Sequence, residues 1–231
     1  MGDNCRKKQC FAPPVVDYRR LRPDNIGSEE FRHVKLLLFW PVFGLAFLYV
    51  ERFYPAALYY PMYSPLDDYI PFCEFFLIPY LFWFVYLVGM HIYTFFYDIE
   101  AFRKLMRFII LSYSFTILIY LLFPTYQLLR PTEFERANVF TRFLAAFYAF
   151  DTNTNVCPSL HVIGSLAVMF TGLHCRQLSG WGWKAGFILS AALICVSTVF
   201  LKQHSVLDVL AALPISLAAH FIVFRKKSAC L

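Results

Sequence analysis

The sequence predicts an all-α, polytopic membrane protein: a six-transmembrane-helix bundle with both termini cytoplasmic. Three observations carry this. Of the 231 residues, 59% are hydrophobic and 20% aromatic, more apolar surface than a soluble chain of this length can bury. Six apolar stretches each approach the roughly 20 residues that a helix needs to cross the hydrocarbon core. Lys and Arg fall in short patches between those stretches, as topology signals do.

The stretches run over about 35–54, 71–96, 105–124, 160–175, 184–201 and 205–224. The fourth is short and the last contains Pro214, both tolerable where neighbouring helices re-satisfy the backbone. Residues 1–34 form a polar, basic tail with no apolar core ahead of a small-residue cleavage site. The first stretch is therefore expected to be a retained anchor, not a signal peptide. The organisation expected is a cytoplasmic tail over 1–34 and a six-helix membrane domain over 35–231.

Orientation follows the cations. On one side lie Arg6, Lys7, Lys8, Arg19, Arg20, Arg22, Arg32 and Lys35, then Arg103, Lys104 and Arg107, then Arg176 and Lys184, then Arg225, Lys226 and Lys227. Only Arg52, Arg130, Arg136, Arg142 and Lys202 lie on the other. That split predicts cytoplasmic termini and puts the connections at about 125–159 and 202–204 on the outer face. The net charge of +6 is dispersed and forms no continuous stripe, which argues against nucleic acid as a partner. The seven Cys show no C-x-x-C spacing and no His-rich tract, so no zinc site is expected, and an odd number does not complete a disulfide framework. Only Cys73 and Cys157 fall near the outer face, where they are the one pair available for a bridge.

Chemistry-bearing residues gather in the two outer connections. Cys157-Pro158-Ser159-Leu160-His161 opens the fourth stretch. Ser159 stands where free backbone N–H groups and the positive helix end favour an anion, and His161 in the first turn is placed to deliver a proton. By itself this segment equally describes an N-cap Ser beside an interfacial His. Further on, His204 and Asp208 are four residues apart, which on one helix lets the carboxylate fix the ring's tautomer and aim the other nitrogen outward as a nucleophile. Their bland alternative is a structural ion pair, but ionisable groups at membrane depth are costly and mark sites. Lys202 adds a cation nearby, and Arg130 after the third stretch offers a planar fork for phosphate oxygens. Glu74 is expected either to line the site or to pair with a neighbour, Asp67 and Asp68 to sit in a solvated turn, and Asp151 to Asn155 to shape the entrance.

An Arg-Pro after one helix, a Pro-Ser-x-His opening the next and a Ser-x6-His-x3-Asp further on resemble the three motifs of the type 2 phosphatidic acid phosphatase superfamily. The resemblance spans roughly 123–208 by motif and the whole chain by architecture. It implies that His204 attacks phosphorus, that Asp208 supports it, that His161 protonates the leaving oxygen, and that Ser159 and Arg130 hold the phosphate. Three positions depart from the pattern: Phe123 where the first motif has Lys, Leu160 where the second has Gly, and Thr198 where the third has Arg. Lys202, four residues past Thr198, would restore the missing charge if the helix continued. Pro-Ser-Leu-His is similar to the branch that includes the inositol phosphorylceramide synthases and many bacterial relatives.

The implied activity is that of a lipid phosphatase in the cell membrane, with a phosphorylated lipid as substrate, its site extracytoplasmic, no metal and no cofactor. A headgroup phosphotransferase shares the first half-reaction and differs only in using a lipid hydroxyl in place of water. A non-catalytic membrane protein on the same scaffold is the third reading. A neutral nucleophile working with a protonated acid predicts a bell-shaped pH–rate profile.

Overall fold

The computed structural model describes residues 14–225, and within them the chain is mostly helical. A 3₁₀ turn over Arg32–Leu38 runs into α1 (Phe39–Arg52). There follow a two-residue strand β1 (Tyr60–Pro61), the short α2 (Leu66–Tyr69), α3 (Leu77–Tyr97), α4 (Ile99–Leu122) and a second two-residue strand β2 (Thr125–Tyr126). The chain continues through α5 (Val139–Phe150), α6 (Leu160–His174), α7 (Trp181–Phe200) and α8 (Val206–Phe224). Five helical stretches are long and apolar enough to cross a membrane: Arg32–Arg52, Glu74–Tyr97, Ile99–Leu122, Trp181–Phe200 and Val206–Phe224. Large apolar side chains such as Val42, Leu45, Ile78, Val85, Leu118, Leu189 and Phe221 face outward on them, which suits a multi-pass protein solvated by lipid.

Each of the six apolar stretches becomes a helix, but the fourth is shorter than a span. At 15 residues, α6 extends only about 22 Å, less than the roughly 30 Å of a hydrocarbon core. It occupies the middle of the bundle, touching α3, α4, α7 and α8. Val162, Ile163, Ala167 and Val168 are fully buried against Leu105, Phe108, Ile109 and Tyr113 of α4 and Ile194 of α7. Two glycines permit that closeness. A Cβ at Gly172 would stand 2.5 Å from the Phe187 ring, and one at Gly164 would stand 2.6 Å from the Tyr113 hydroxyl.

Helix boundaries move for identifiable reasons. α4 begins at Ile99, six residues before the apolar run suggests, because the Asp98 side chain accepts from the Ala101 N–H at 3.0 Å and caps it. The connection after β2 contains a helix that hydropathy passes over. Asn138 and Thr141 form a capping box that starts α5. The boundary at residue 34 is also not structural. Val15 N–H bonds the Phe96 carbonyl at 2.8 Å, and Tyr18 stacks on Phe95 with centroids 4.7 Å apart, so residues 15–34 are fastened to the end of α3. Residues 1–13 of the tail and Lys226 and Lys227 lie outside the described residues.

At the end of the bundle where α6 begins, the connecting segments form one layer. β1 and β2 pair in parallel, Tyr60 with Thr125 and Pro61 with Tyr126. The Thr125 hydroxyl accepts from the N–H groups of Val156 and Cys157, both at 3.1 Å, and its carbonyl accepts from Asn155 N–H at 2.6 Å. This layer delivers the 150–161 segment against the α7–α8 turn.

Candidate active site

The α7–α8 turn carries His204, and the first turn of α8 carries Asp208. α7 ends at Phe200, and Thr198 O accepts the N–H groups of both Gln203 and His204, closing the turn. Lys202 sits in the left-handed region, φ 54°, as the chain reverses. Ser205 caps α8 and forms a capping box with Asp208. His204 is therefore not on the helix with Asp208, as the four-residue spacing implies, but just before its cap. The carboxylate reaches back, and one oxygen, Asp208 Oδ2, accepts from Ser205 N–H at 3.0 Å and from His204 Nδ1 at 3.1 Å. The cap that starts α8 also orients the histidine. With Nδ1–H donating, the lone pair of Nε2 is free to act, and the ring is one wall of a small cavity.

That cavity, about 80 Å³, is also lined by His161, Arg130, Asp151, Gln203, Glu51, Asn155, Tyr80 and Tyr120. His161 stands across it with its ring centroid 5.9 Å from that of His204. Its ring is clamped by Tyr80 and Trp83, each with a centroid distance of 4.5 Å, so the imidazole has one orientation. Its Nε2 is buried with no hydrogen-bond partner among the described residues.

Arg130 reaches the cavity, yet most of its donors are engaged. Nη1 donates to the Asp151 carbonyl at 2.7 Å. Nη2 donates to the Asp151 carboxylate at 2.9 Å, the Thr152 carbonyl at 2.9 Å and Gln203 Oε1 at 2.6 Å, and the guanidinium lies 4.8 Å over the Tyr148 ring. Burial raises the Asp151 carboxyl pKa, against the opposing pull of Arg130. Arg130 thus stitches the end of α5 to the α7–α8 turn and leaves Nε buried and unpartnered.

Besides Asp208, which lies against His204, two of the sequence-nominated residues do not line the cavity. Ser159 is fully buried as the N-cap of α6. Its Oγ accepts from Val162 N–H and its own N–H bonds the Asp208 carbonyl at 3.2 Å, which fixes the start of α6 to α8. Lys202 does not take up the place of the missing arginine, because α7 has ended and the reversed backbone turns the side chain the other way. Its ammonium donates to the carbonyls of Asp67, at 2.7 Å, and Ile70, at 2.5 Å. Burial lowers the Lys202 pKa, with Asp67 and Asp68 opposing. Lys202→Met is accordingly expected to leave the affinity for a phosphate analogue within about twofold of wild type while lowering the melting temperature. Calorimetric titration and a thermal melt on the same preparation check both halves.

Asp67, expected in a solvated turn, is buried. It accepts from the Ser205 hydroxyl at 2.6 Å, Val206 N–H at 2.8 Å and Ser64 N–H at 2.8 Å. Nothing in its local sequence marks it, because two of its three partners lie almost 140 positions away. Gln203, Tyr80 and Glu51 were likewise hidden, each being an ordinary member of its segment until the helices assemble. Glu74 pairs with Asn138, at 3.0 Å, and Arg136 rather than lining the cavity. Asp151 and Asn155 do shape it. Cys73 and Cys157 are both free thiols.

Compared with known proteins, the chain matches no family model, no curated protein and no solved structure.

Proposed function

We propose that the chain is a membrane lipid phosphatase that works through a phosphohistidine at the extracytoplasmic headgroup level. In this reading α6 completes a sixth crossing and both termini are cytoplasmic, in keeping with the Lys and Arg distribution. One observation carries the chemistry. A histidine held by a buried carboxylate at 3.1 Å faces a second, unpartnered histidine across a cavity also lined by arginine.

His204 Nε2 gives its lone pair to phosphorus, and the P–O bond to the lipid breaks. His161 takes up a proton with the incoming phosphate and passes it to the departing lipid oxygen. Water then attacks phosphorus with His161 taking a proton from it, the P–N bond returns its pair to Nε2, and phosphate leaves. Asp208 holds the ring throughout and stabilises the charge that develops on it. Arg130 Nε and Gln203 Nε2, both buried without partners, supply donors for the phosphoryl oxygens.

A lipid hydroxyl in place of water would turn the same site into a headgroup phosphotransferase. Product analysis with a phosphate-labelled lipid tests the assignment. Labelled free phosphate supports the phosphatase, and a labelled second lipid moves the assignment to the transferase. No turnover of any lipid phosphate by the wild-type protein would reject both.

A further inference from the structure

The cavity has a second half that phosphoryl transfer does not use. On the side formed by α1 and the 151–155 segment stand Glu51, Thr152 and Asn155. Glu51 Oε2 accepts from the Thr152 hydroxyl, while Oε1 is buried with no hydrogen-bond partner, as is Asn155 Oδ1. Arg130 Nε, Gln203 Nε2 and His161 Nε2 are the buried unpartnered nitrogens on the same lining. The unpartnered acceptors thus belong to α1 and the 151–155 segment, and the unpartnered nitrogens to Arg130, Gln203 and His161.

Charge is divided in the same way. Among the described residues lining the cavity, the fixed charges are Glu51, Asp151 and Arg130. Arg130 and Asp151 compensate each other at 2.9 Å. Glu51 has no ion-pair partner among the described residues. Its neighbour Arg52 turns away to the Phe150 carbonyl. His161 and His204 are committed to the reacting phosphate, and Tyr80 and Tyr120 are neutral rings. A site for a bare phosphate dianion would gain nothing from a carboxylate on its wall, because the two repel in low dielectric. A half-buried carboxylate whose second oxygen has no hydrogen-bond partner is instead compensated when the ligand brings a cation, and the rings of Phe47, Tyr80 and Tyr120 on the same lining favour one further.

We infer that Glu51 and Asn155 form an ammonium subsite, and that the lipid phosphate bound here is a phosphomonoester with an amine two carbons from the phosphate oxygen, the arrangement that free phosphoethanolamine reproduces. At about 80 Å³ the cavity leaves no room for acyl chains, which stay in the lipid phase. Glu51 is then a specificity-determining residue. The inference rests on the proposed reading for what happens at phosphorus but not for what binds beside it.

Binding and turnover are therefore measured separately on the full chain in detergent. Phosphoethanolamine is expected to bind about tenfold more tightly than glycerol phosphate or inorganic phosphate, the ratio one charge-assisted contact supplies. N-acetyl phosphoethanolamine, which keeps the length and loses the charge, should fall to the level of glycerol phosphate on the wild-type protein. Glu51→Gln should erase the preference, and inorganic phosphate should bind as tightly or more tightly, since the carboxylate that repels it is gone. Equal affinities for the four ligands, a preference that survives N-acetylation or Glu51→Gln, or no binding of phosphoethanolamine overturns the inference. If the preference holds but no lipid phosphate is turned over, the catalytic reading falls and the ammonium subsite stands. Turnover without the preference gives the reverse.

Discussion

His204→Ala should lower lipid-phosphate turnover by about ten-thousandfold, because it removes the atom that would form the bond to phosphorus. The protein should stay folded. His204 makes its one side-chain hydrogen bond to Asp208, and Asp208 Oδ2 keeps the Ser205 N–H after the ring is gone. Added imidazole should restore part of the lost activity by entering the vacated ring position. Asp208→Asn should cost less, about a hundred- to a thousandfold, since the ring remains but its tautomer is no longer enforced. Combining the two should cost no more than His204→Ala alone, because they act as a unit. Steady-state turnover of a labelled lipid phosphate, together with a thermal melt of each variant, provides the measurement. Turnover within tenfold of wild type in His204→Ala would remove the nucleophile from this reading.

Asp67→Ala is expected to be the most destabilising single change at this end of the bundle. The carboxylate is 1% exposed and satisfies the Ser205 hydroxyl, Val206 N–H and Ser64 N–H, while its carbonyl accepts the Lys202 ammonium. Removing it strands those buried donors, a cost of about 3 kcal/mol, or a fall in melting temperature of roughly 6–12 °C for a chain of this size. The loss should reach the chemistry as well. Asp67 holds the first residues of α8, and the same capping box aims Asp208 at His204. Lys202→Met should be milder, since it leaves the carboxylate's own bonds intact. A melting temperature within 2 °C of wild type for Asp67→Ala would show that the α2 segment is not a support for α8.

The contact between His204 and Asp208 was legible in the sequence because its signals are local. His204 and Asp208 are close enough in the chain for spacing alone to pair them. Ser159 sits at a helix start that Pro158 announces, and His161 follows one short step later. The geometry of the pair differed, since the histidine precedes the cap instead of sharing the helix, but the contact is the same. Lys202 was read wrongly for the opposite reason. Its direction depends on where α7 stops and how the chain reverses, and a left-handed residue at the turn inverts what helical spacing implies. Arg130 was placed correctly at the cavity, but how many of its donors are already engaged is a property of the 148–152 carbonyls, which no motif encodes.

The amino-acid sequence by itself determined that this chain is built of apolar helices and where they lie, because lipid-facing surface and helix length are written residue by residue. It also determined which short segments hold paired ionisable groups. Only the tertiary structure decided which of these meet. The five long apolar stretches are set around a sixth that is shorter than a span and lies at the centre, a role fixed by glycine-permitted contacts with Tyr113 and Phe187. Asp67 and Glu51 became significant only there. A carboxylate declares its function through what surrounds it, and their surroundings come from segments about a hundred or more residues away.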